Sequence, residues 1–418
     1  GRIVRIVQRT EPQPGSDVAL TIDLELQTFL VDRLARERRA AVVALDVTDG
    51  EVVAMASSPG YDPALNVPRP QADPEPPRRR GRGRSLRTGL SAAKRAQNGD
   101  ALFNRATMGL YPPGSTFKIV TALAALEAGV IDLRERIDCQ GSFTLADRNY
   151  RCWNRGGHGR CDMHRAIRES CDVFFYEVAR RMGMDTLAAM ARRMGLGQTY
   201  DAGIAPLSPG LIPTPSWKRG KYGRGWLGGE TILSAIGQGY VLTSPLQLAV
   251  MTARAATGLA VTPTLVRPEN GKSRPAFARL NIADRHLQAL QRALRAVVNE
   301  AGGTGSRAHL GEHGPMVAGK TGTSQVTRRS ANRYQSSLKW EDRDHALFVG
   351  YFPAHAPRYA VAAIVEHGGG GGTVAAPLAR EVMAELSALD PSKKPAYSVF
   401  PAVPAAEPPA EPAKGPAG

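Results

Sequence analysis

The sequence lacks an apolar stretch long enough to span a membrane. A transmembrane helix needs about 20 consecutive apolar residues, and the best candidate, residues 119–131, is shorter and is interrupted by Glu127. No signal peptide begins at Gly1 either. These absences leave two expectations open: a cytosolic protein, or the soluble part of a longer, anchored protein.

Acidic residues are also scarce. The chain has 38 Asp and Glu residues against 54 Lys and Arg residues, which gives a formal net charge of +16. This excess favours an anionic partner such as a nucleic acid, a membrane surface or an anionic polymer. Six of the arginines, however, lie in the Pro- and Gly-rich residues 77–87, which indicates a solvated loop. We therefore predict no nucleic-acid partner.

Hydrophobic residues make up 42% of the chain, which allows a substantial core and excludes a disordered or fibrous protein. Their spacing predicts a helix over residues 23–34 and a β-hairpin over residues 41–55, with its turn at Thr48-Asp-Gly50. Helices are further predicted at 117–126, at 165–196 as a pair, and at 245–257, 283–300 and 376–389, with antiparallel strands at 345–352 and 359–367. The fold class that follows is α+β, an antiparallel sheet covered by helices.

One large domain is predicted over residues 17–390. Residues 1–16 end in Glu-Pro-Gln-Pro-Gly, which is typical of a linker or of the end of a preceding domain. A basic, Pro- and Gly-rich insertion is predicted at about residues 68–100. Residues 391–418 are rich in Pro and Ala and are expected to form a disordered tail.

Ser115-Thr-Phe-Lys118 is the first of three short motifs that point to chemistry. Residues 112–114, Pro-Pro-Gly, end the preceding segment and place Ser115 at the start of an apolar helix. Residues i and i+3 share a helical face, so the Lys118 amine can reach the Ser115 hydroxyl. The helix N-terminus favours a developing alkoxide. Burial and neighbouring cations favour the neutral amine, which would act as the base for Ser115 as nucleophile.

The same spacing also fits an N-capping serine followed by a surface lysine. It recurs at Ser91 with Lys94 and at Ser336 with Lys339, but both pairs lie in polar sequence that we expect to be exposed. The apolar residues that follow Ser115 therefore favour the first motif.

Ser170-Cys-Asp172 is the second motif. It opens an apolar helical run at residues 173–176 and lies between the other two motifs in the chain. Ser330-Ala-Asn332 fits the pattern as well, but it lies in a basic, polar stretch. We therefore expect Ser170 to shuttle a proton to the leaving group, with Asp172 as its orienting partner.

Lys320-Thr-Gly322 is the third motif and occurs once, flanked by β-type sequence. Gly322 has no side chain, so a substrate backbone can approach the strand closely. Lys320 supplies positive charge, and Thr321 and Thr323 offer hydroxyl groups to a substrate carboxylate. We expect the backbone N–H groups of Ser115 and Thr323 to form an oxyanion hole.

With these motifs the chain resembles the class B penicillin-binding proteins, and within them the penicillin-binding protein 2 group. The resemblance covers about residues 20–390 apart from the insertion. Besides the three motifs it rests on residues 21–27, 57–62, 104–106, 111–116, 236–240 and 243–248.

The resemblance implies a penicillin-binding and serine β-lactamase-like transpeptidase fold over the predicted domain. It implies that the D-Ala-D-Ala end of a peptidoglycan stem peptide acylates Ser115, that an amine of a neighbouring strand forms the cross-link, and that β-lactam antibiotics acylate the same serine. No catalytic cofactor is expected. Members of the family act in cell elongation with a SEDS-type (RodA-like) glycosyltransferase. This chain would be the periplasmic domain of a single-pass inner-membrane protein whose anchor and pedestal it lacks.

Three other functions share some of these features. A serine β-lactamase has the same motifs, but the sequence has no equivalent of the extra glutamate loop of the class A enzymes. A β-lactam-sensing receptor would be joined to a sensor membrane segment. A non-catalytic wall scaffold would not need Ser115, Lys118 and Lys320 together.

The four cysteines all lie between residues 139 and 171. Three of them, with one histidine, form a donor set suited to tetrahedral zinc: Cys139, Cys152, His158 and Cys171. Alternatives are a Cys139–Cys152 disulfide or free thiols, with Cys161 and His164 as substitute ligands. The resemblance also implies a metal in this loop. We expect a structural zinc that braces Ser170 without joining the chemistry.

Overall fold

A five-stranded antiparallel sheet organises the part of the chain that the computed structural model describes, residues 15–61, 100–204, 206–268, 276–326 and 335–394. Its strands are β1 (Ala40–Asp46), β2 (Val52–Ser58), β7 (Ala318–Ser324), β8 (His345–Phe352) and β9 (Tyr359–Val365). They lie in the order β2-β1-β9-β8-β7. The strand that carries Lys320 therefore forms one edge of this sheet.

Ten helices and two small strand pairs surround the sheet in the described residues. The helices are α1 (Leu24–Leu34), α2 (Lys118–Glu127), α3 (Met163–Arg168), α4 (Asp172–Met182), α5 (Met184–Arg193), α6 (Pro215–Tyr222), α7 (Gly228–Ala235), α8 (Pro245–Thr257), α9 (Asp284–Asn299) and α10 (Ala376–Leu389). The strand pairs are β3 (Ile137–Cys139) with β6 (Gly159–Cys161), and β4 (Ser142–Leu145) with β5 (Arg148–Arg151).

Both faces of the sheet are covered. Helices α1 and α10 contact each other and the sheet, as do α8 and α9. Strands β1 and β9 are consequently buried at every residue and consist almost entirely of Ala, Val, Leu and Ile. The predicted α+β class is confirmed.

Most predicted elements have the expected bounds, including the helices at 245–257 and 376–389 and the strand at 345–352. The prediction of two helices over residues 165–196 is wrong, because α3, α4 and α5 occupy this region. The extra break falls at Ser170, whose φ of 58° is left-handed and ends α3 before α4 begins. Helices α6 and α7 are short and were not predicted, although Thr214 and Pro215 form a recognisable helix start.

None of the helices in the described ranges combines the length and apolar character needed to cross a bilayer. The predictions for the linker up to residue 14, for the basic insertion, and for the tail beyond residue 394 lie outside these ranges.

Candidate active site

Ser115 lies in a single 3-10 turn, Gly114–Phe117, that leads directly into α2. The α-helix thus begins at Lys118, one residue after the predicted start at residue 117, and Ser115 lies in the turn before the helix and not in its first residue. In a 3-10 turn the side chains at i and i+3 eclipse, so Ser115 and Lys118 still lie on the same side of the backbone. Ser115 is half-buried, whereas Lys118 is completely buried. The partly exposed side chain of Ser115 and the enclosed amine of Lys118 therefore lie on the same side of the turn.

Lys118 joins the first motif to the second. Its Nζ donates hydrogen bonds to Ser170 O at 2.9 Å, to Ser170 Oγ at 3.2 Å and to Asp172 Oδ1 at 2.6 Å. A protonated lysine has three N–H donors, and these three acceptors use all of them. Within the described residues none of the Lys118 bonds goes to Ser115 Oγ. The expected direct Lys118–Ser115 hydrogen bond is therefore not formed in this arrangement.

Ser170 has a strained, left-handed backbone, and Trp153 helps to hold both Ser170 and Asp172 in place. A non-glycine residue in the left-handed region costs about 1–2 kcal/mol, and such strain is concentrated at functional sites. The Trp153 indole N–H donates to Ser170 O at 3.0 Å, and its backbone N–H donates to Asp172 Oδ2 at 2.9 Å. Sequence reasoning missed Trp153; its only signal was the position directly after Cys152.

Lys320 is completely buried on β7. Burial and the positive charge of Lys118 hold its pKa well below the ordinary value of lysine, while Asp172 opposes this shift. Lys320 is therefore close enough to Lys118 and Asp172 for their charges to act on it. Thr321 Oγ1 is hydrogen-bonded to Thr304 Oγ1 at 2.8 Å, a partner that no sequence pattern marked.

The turn Gly114–Phe117, which we call the catalytic turn because it carries the candidate nucleophile Ser115, is in close contact with the edge strand β7 through glycines. A Cβ atom on Gly114 would lie 2.5 Å from Thr323 O, and one on Gly322 would lie 2.9 Å from Pro113 O. Gly114 N donates to Gly237 O at 2.9 Å, which ties the turn to the segment after α7. Gly322 therefore serves the packing of the protein itself, a reason that the sequence-based interpretation did not include.

A buried polar network supports the turn from the other side. The Tyr111 hydroxyl donates to Glu366 Oε1 at 2.7 Å, and Arg105 Nε donates to the same oxygen at 2.9 Å. Tyr111 also exchanges two backbone hydrogen bonds with Thr243. Arg105, Tyr111 and Thr243 come from three of the segments that carried the family resemblance, and the fold brings them together beneath the residues before Ser115.

The predicted metal-binding residues form one buried cluster. The ligand atoms of Cys139, Cys152, His158 and Cys171 all lie within 4.8 Å of one another. His158 Nδ1 is 3.6 Å from Cys139 Sγ and 3.5 Å from Cys152 Sγ. All four cysteines of the chain are free in this structure, so the alternative Cys139–Cys152 disulfide is not formed. Cys161 instead donates to Ile137 O, outside the cluster.

The cluster is directly connected to the second motif. Asp172 N donates to Cys152 Sγ at 3.4 Å. Cys171 caps α4 by accepting a hydrogen bond from Phe174 N. His164, the other substitute ligand, is part-exposed and faces Glu300 at 3.7 Å. Burial raises the pKa of the Cys139 thiol, so a nearby cation is needed to favour its thiolate.

One competing serine–lysine pair, Ser336 with Lys339, lies within the described residues and does not resemble this site. Ser336 and Lys339 are exposed, with Ser336 in a short 3-10 turn, Gln335–Ser337. Ser91 with Lys94 and the Ser330 motif lie outside the described residues.

Three motifs that meet beside an edge strand, with helices on both faces of the sheet, define the fold of the penicillin-binding proteins and serine β-lactamases. The chain belongs to the penicillin binding protein transpeptidase domain family, whose model matches residues 40–384.

Individual relatives agree with this assignment. The chain is 36% identical to the peptidoglycan D,D-transpeptidase MrdA of Acinetobacter baumannii over 397 residues, which covers 91% of this chain and 55% of that protein. A crystal structure of Pseudomonas aeruginosa PBP2 in complex with WCK 5153 has a TM-score of 0.76 and 36% identity, with 89% of this chain and 79% of that chain covered.

A further solved structure concerns coordination of polymerization and crosslinking by a peptidoglycan synthase complex. It has a TM-score of 0.74 and 33% identity, with 93% of this chain and 65% of that chain covered. The chain spans 54–63% of the length of the curated relatives it matches.

Proposed function

We propose that this domain is a serine D,D-transpeptidase that cross-links peptidoglycan stem peptides through an acyl-enzyme on Ser115. The observation that carries the proposal is the bonding of Lys118 Nζ to both Ser170 Oγ and Asp172 Oδ1, directly beneath the turn of Ser115. This arrangement gives a buried amine one neighbour that can relay a proton and one that can stabilise its charge.

In the acylation step, Ser115 Oγ attacks the carbonyl carbon of the penultimate D-Ala. The serine proton passes to the neutral form of Lys118, which therefore must lose one of its three hydrogen bonds before it acts. The backbone N–H groups of Ser115 and Thr323 stabilise the oxyanion. The C–N bond then breaks, and the terminal D-Ala leaves as an amine that takes its proton from Lys118 through Ser170.

In the second step, an amine from a neighbouring stem peptide attacks the ester carbonyl and gives its proton to the same relay. The new peptide bond forms as the Ser115–acyl bond breaks, and the serine is regenerated. Lys320, Thr321 and Thr323 line the edge strand where the substrate carboxylate would bind. Asp172 keeps Lys118 oriented and compensates its charge, with Trp153 fixing the carboxylate.

The direct test uses a fluorescent penicillin on the purified domain. We expect stable labelling of the wild type and no labelling of Ser115→Ala, because the nucleophile is absent. Ser336→Ala is the matched control and should label normally, since Ser336 belongs to the exposed pair of the same spacing. Absence of label on folded wild-type protein would refute the proposal, and brief labelling with rapid penicillin turnover would favour a β-lactamase.

The proposed substrate and the relatives support a proposal for the cellular setting. We infer a role in elongation, at the periplasmic face of the inner membrane where peptidoglycan is assembled, with β-lactams as inhibitors. The likeness to a structure concerned with polymerization and crosslinking supports a SEDS-type (RodA-like) glycosyltransferase as partner. The basic composition is consistent with an anionic wall polymer rather than a nucleic acid as ligand.

We further propose that Cys139, Cys152, His158 and Cys171 hold one structural zinc ion. With bond lengths of about 2.3 Å to sulfur and about 2.05 Å to nitrogen, neighbouring ligands of a tetrahedral site lie about 3.5 Å apart. The two S···N distances of 3.5 and 3.6 Å fit this geometry. The ion would fix the loop that carries Trp153 and the N-terminus of α4 without taking part in acyl transfer.

Metal analysis of protein purified without chelators is expected to give one zinc per chain. Cys152→Ser should lose most of the metal and lower the melting temperature, because a structural zinc contributes directly to folding free energy. Cys161→Ser, which alters a buried cysteine outside the cluster, should retain the metal. A metal-free wild type of unchanged melting temperature after chelation would contradict the zinc proposal.

A further inference from the structure

Three aromatic rings form a compact group around α6. The ring of Trp217 lies 5.7 Å from that of Tyr222 and 5.3 Å from that of Tyr240, and Tyr222 and Tyr240 are 6.0 Å apart between ring centroids. Tyr222 is 48% exposed, and the other two rings are part-buried. We call this group the aromatic platform.

The platform lies beside the candidate active site. Gly237 O accepts the hydrogen bond from Gly114 N, next to Ser115. Gln238 Nε2 donates to Thr323 O on the edge strand at 3.0 Å. Tyr240 follows two residues later, so one short segment connects the platform to both the catalytic turn and the edge strand.

The polar ends of the platform rings are unused by the protein. Within the described residues the indole N–H of Trp217 and the hydroxyls of Tyr222 and Tyr240 have no hydrogen-bond partner, and none of them is enclosed. The neighbouring Trp226 differs, because its indole N–H donates to Thr231 Oγ1 at 2.8 Å. The polar ends of the platform rings are therefore open to solvent and available to a ligand.

The surrounding charge is positive. Residues 214–240 contain four cationic side chains and one acidic one. Lys218 and Glu230 neutralise each other in an ion pair at 2.5 Å. The exposed cations that remain are Arg219, Lys221 and Arg224, and the Lys221 ammonium lies 5.6 Å from the Trp217 ring centroid.

We propose that the aromatic platform binds the saccharide backbone of the peptidoglycan strand whose stem peptide enters the active site. The C–H groups of a pyranose ring carry partial positive charge and pack on the negative face of an aromatic ring. The free N–H and O–H groups can bind sugar hydroxyl and acetamido groups, and the cations match the carboxylates of the polymer. This inference rests on the proposed transpeptidase function and assigns its substrate a second contact outside the cleft.

The test measures binding of peptide-free glycan chains, prepared from peptidoglycan with an amidase, to the purified domain. Trp217→Ala and Tyr222→Ala are each expected to raise the Kd for glycan by about 2- to 12-fold, given the contribution of one aromatic contact. Lys221→Glu should weaken binding and reduce its dependence on salt. Phe103→Ala, which removes an exposed ring outside the platform, should leave the Kd unchanged.

Labelling by fluorescent penicillin, which contains no saccharide, is measured on every variant. Normal labelling with an unchanged Kd for glycan in both Tyr222→Ala and Lys221→Glu would overturn the inference. It would also be overturned if these variants lost affinity for phosphatidylglycerol vesicles but kept their affinity for glycan. Lack of labelling in the wild type would refute the proposed function. The glycan titration would still show whether the aromatic platform binds the saccharide. Lys221→Glu keeps the test decisive if removal of an aromatic ring prevents folding.

Discussion

Replacement of Lys118 by methionine is expected to lower the second-order rate of penicillin acylation by about 10³-fold, within the range that a general base contributes. The methionine side chain is close in length to lysine and can occupy the same enclosed space, but it cannot accept the serine proton. It also leaves Ser170 Oγ and Asp172 Oδ1 without their shared donor. The measurement is the rate of fluorescent labelling at increasing penicillin concentration.

Lys339→Met is the matched control, because Lys339 has the same spacing from Ser336 but is exposed. It should acylate at the wild-type rate. A Lys118→Met protein that folds and acylates within tenfold of the wild type would exclude Lys118 as the base. The difference between the two variants separates the role of the buried amine from the effect of losing one positive charge.

Gly114→Ala, which adds one methyl group to the catalytic turn, is expected to lower both the stability and the acylation rate strongly. Gly114 has a φ of 54°, and its added Cβ would lie 2.5 Å from Thr323 O. The left-handed conformation costs about 1–2 kcal/mol, and overpacking adds about 1–3 kcal/mol. The turn must move away from the edge strand, which separates the two expected oxyanion donors. We expect acylation to fall by about 10²-fold, a loss typical of a misplacement near 1 Å.

Gly129→Ala separates the cost of the left-handed backbone from the cost of overpacking against the edge strand. Gly129 also has a left-handed backbone, with a φ of 64°, but nothing lies within 4 Å of its added Cβ. The Gly129→Ala variant should lose about 1–2 kcal/mol of stability because of its left-handed backbone. It should acylate at the wild-type rate. Equal acylation rates in the two variants would show that the contact between turn and strand is not needed.

Much of the fold could be predicted because the residues that cover the sheet follow simple periodicities. The helix Pro245–Thr257 begins at a Ser-Pro cap and ends at Gly258, and both signals are local. The break at Ser170 could not be predicted, since a serine with positive φ is stabilised by its tertiary surroundings. Those surroundings include Lys118 and Trp153, which are distant in the sequence.

The sequence by itself determined the three motifs and their order, and its periodicities predicted the fold class. It also predicted the Cys3His donor set, with a disulfide and free thiols as alternatives, because residue types and spacings can be read without the fold. Only the tertiary structure decided that Lys118 bonds to Ser170 and Asp172 rather than to Ser115. It also decided that Lys320 lies on an edge strand and that the aromatic platform borders the turn. These features depend on contacts between residues tens to hundreds of positions apart, and no local pattern encodes where a buried amine finds its acceptors.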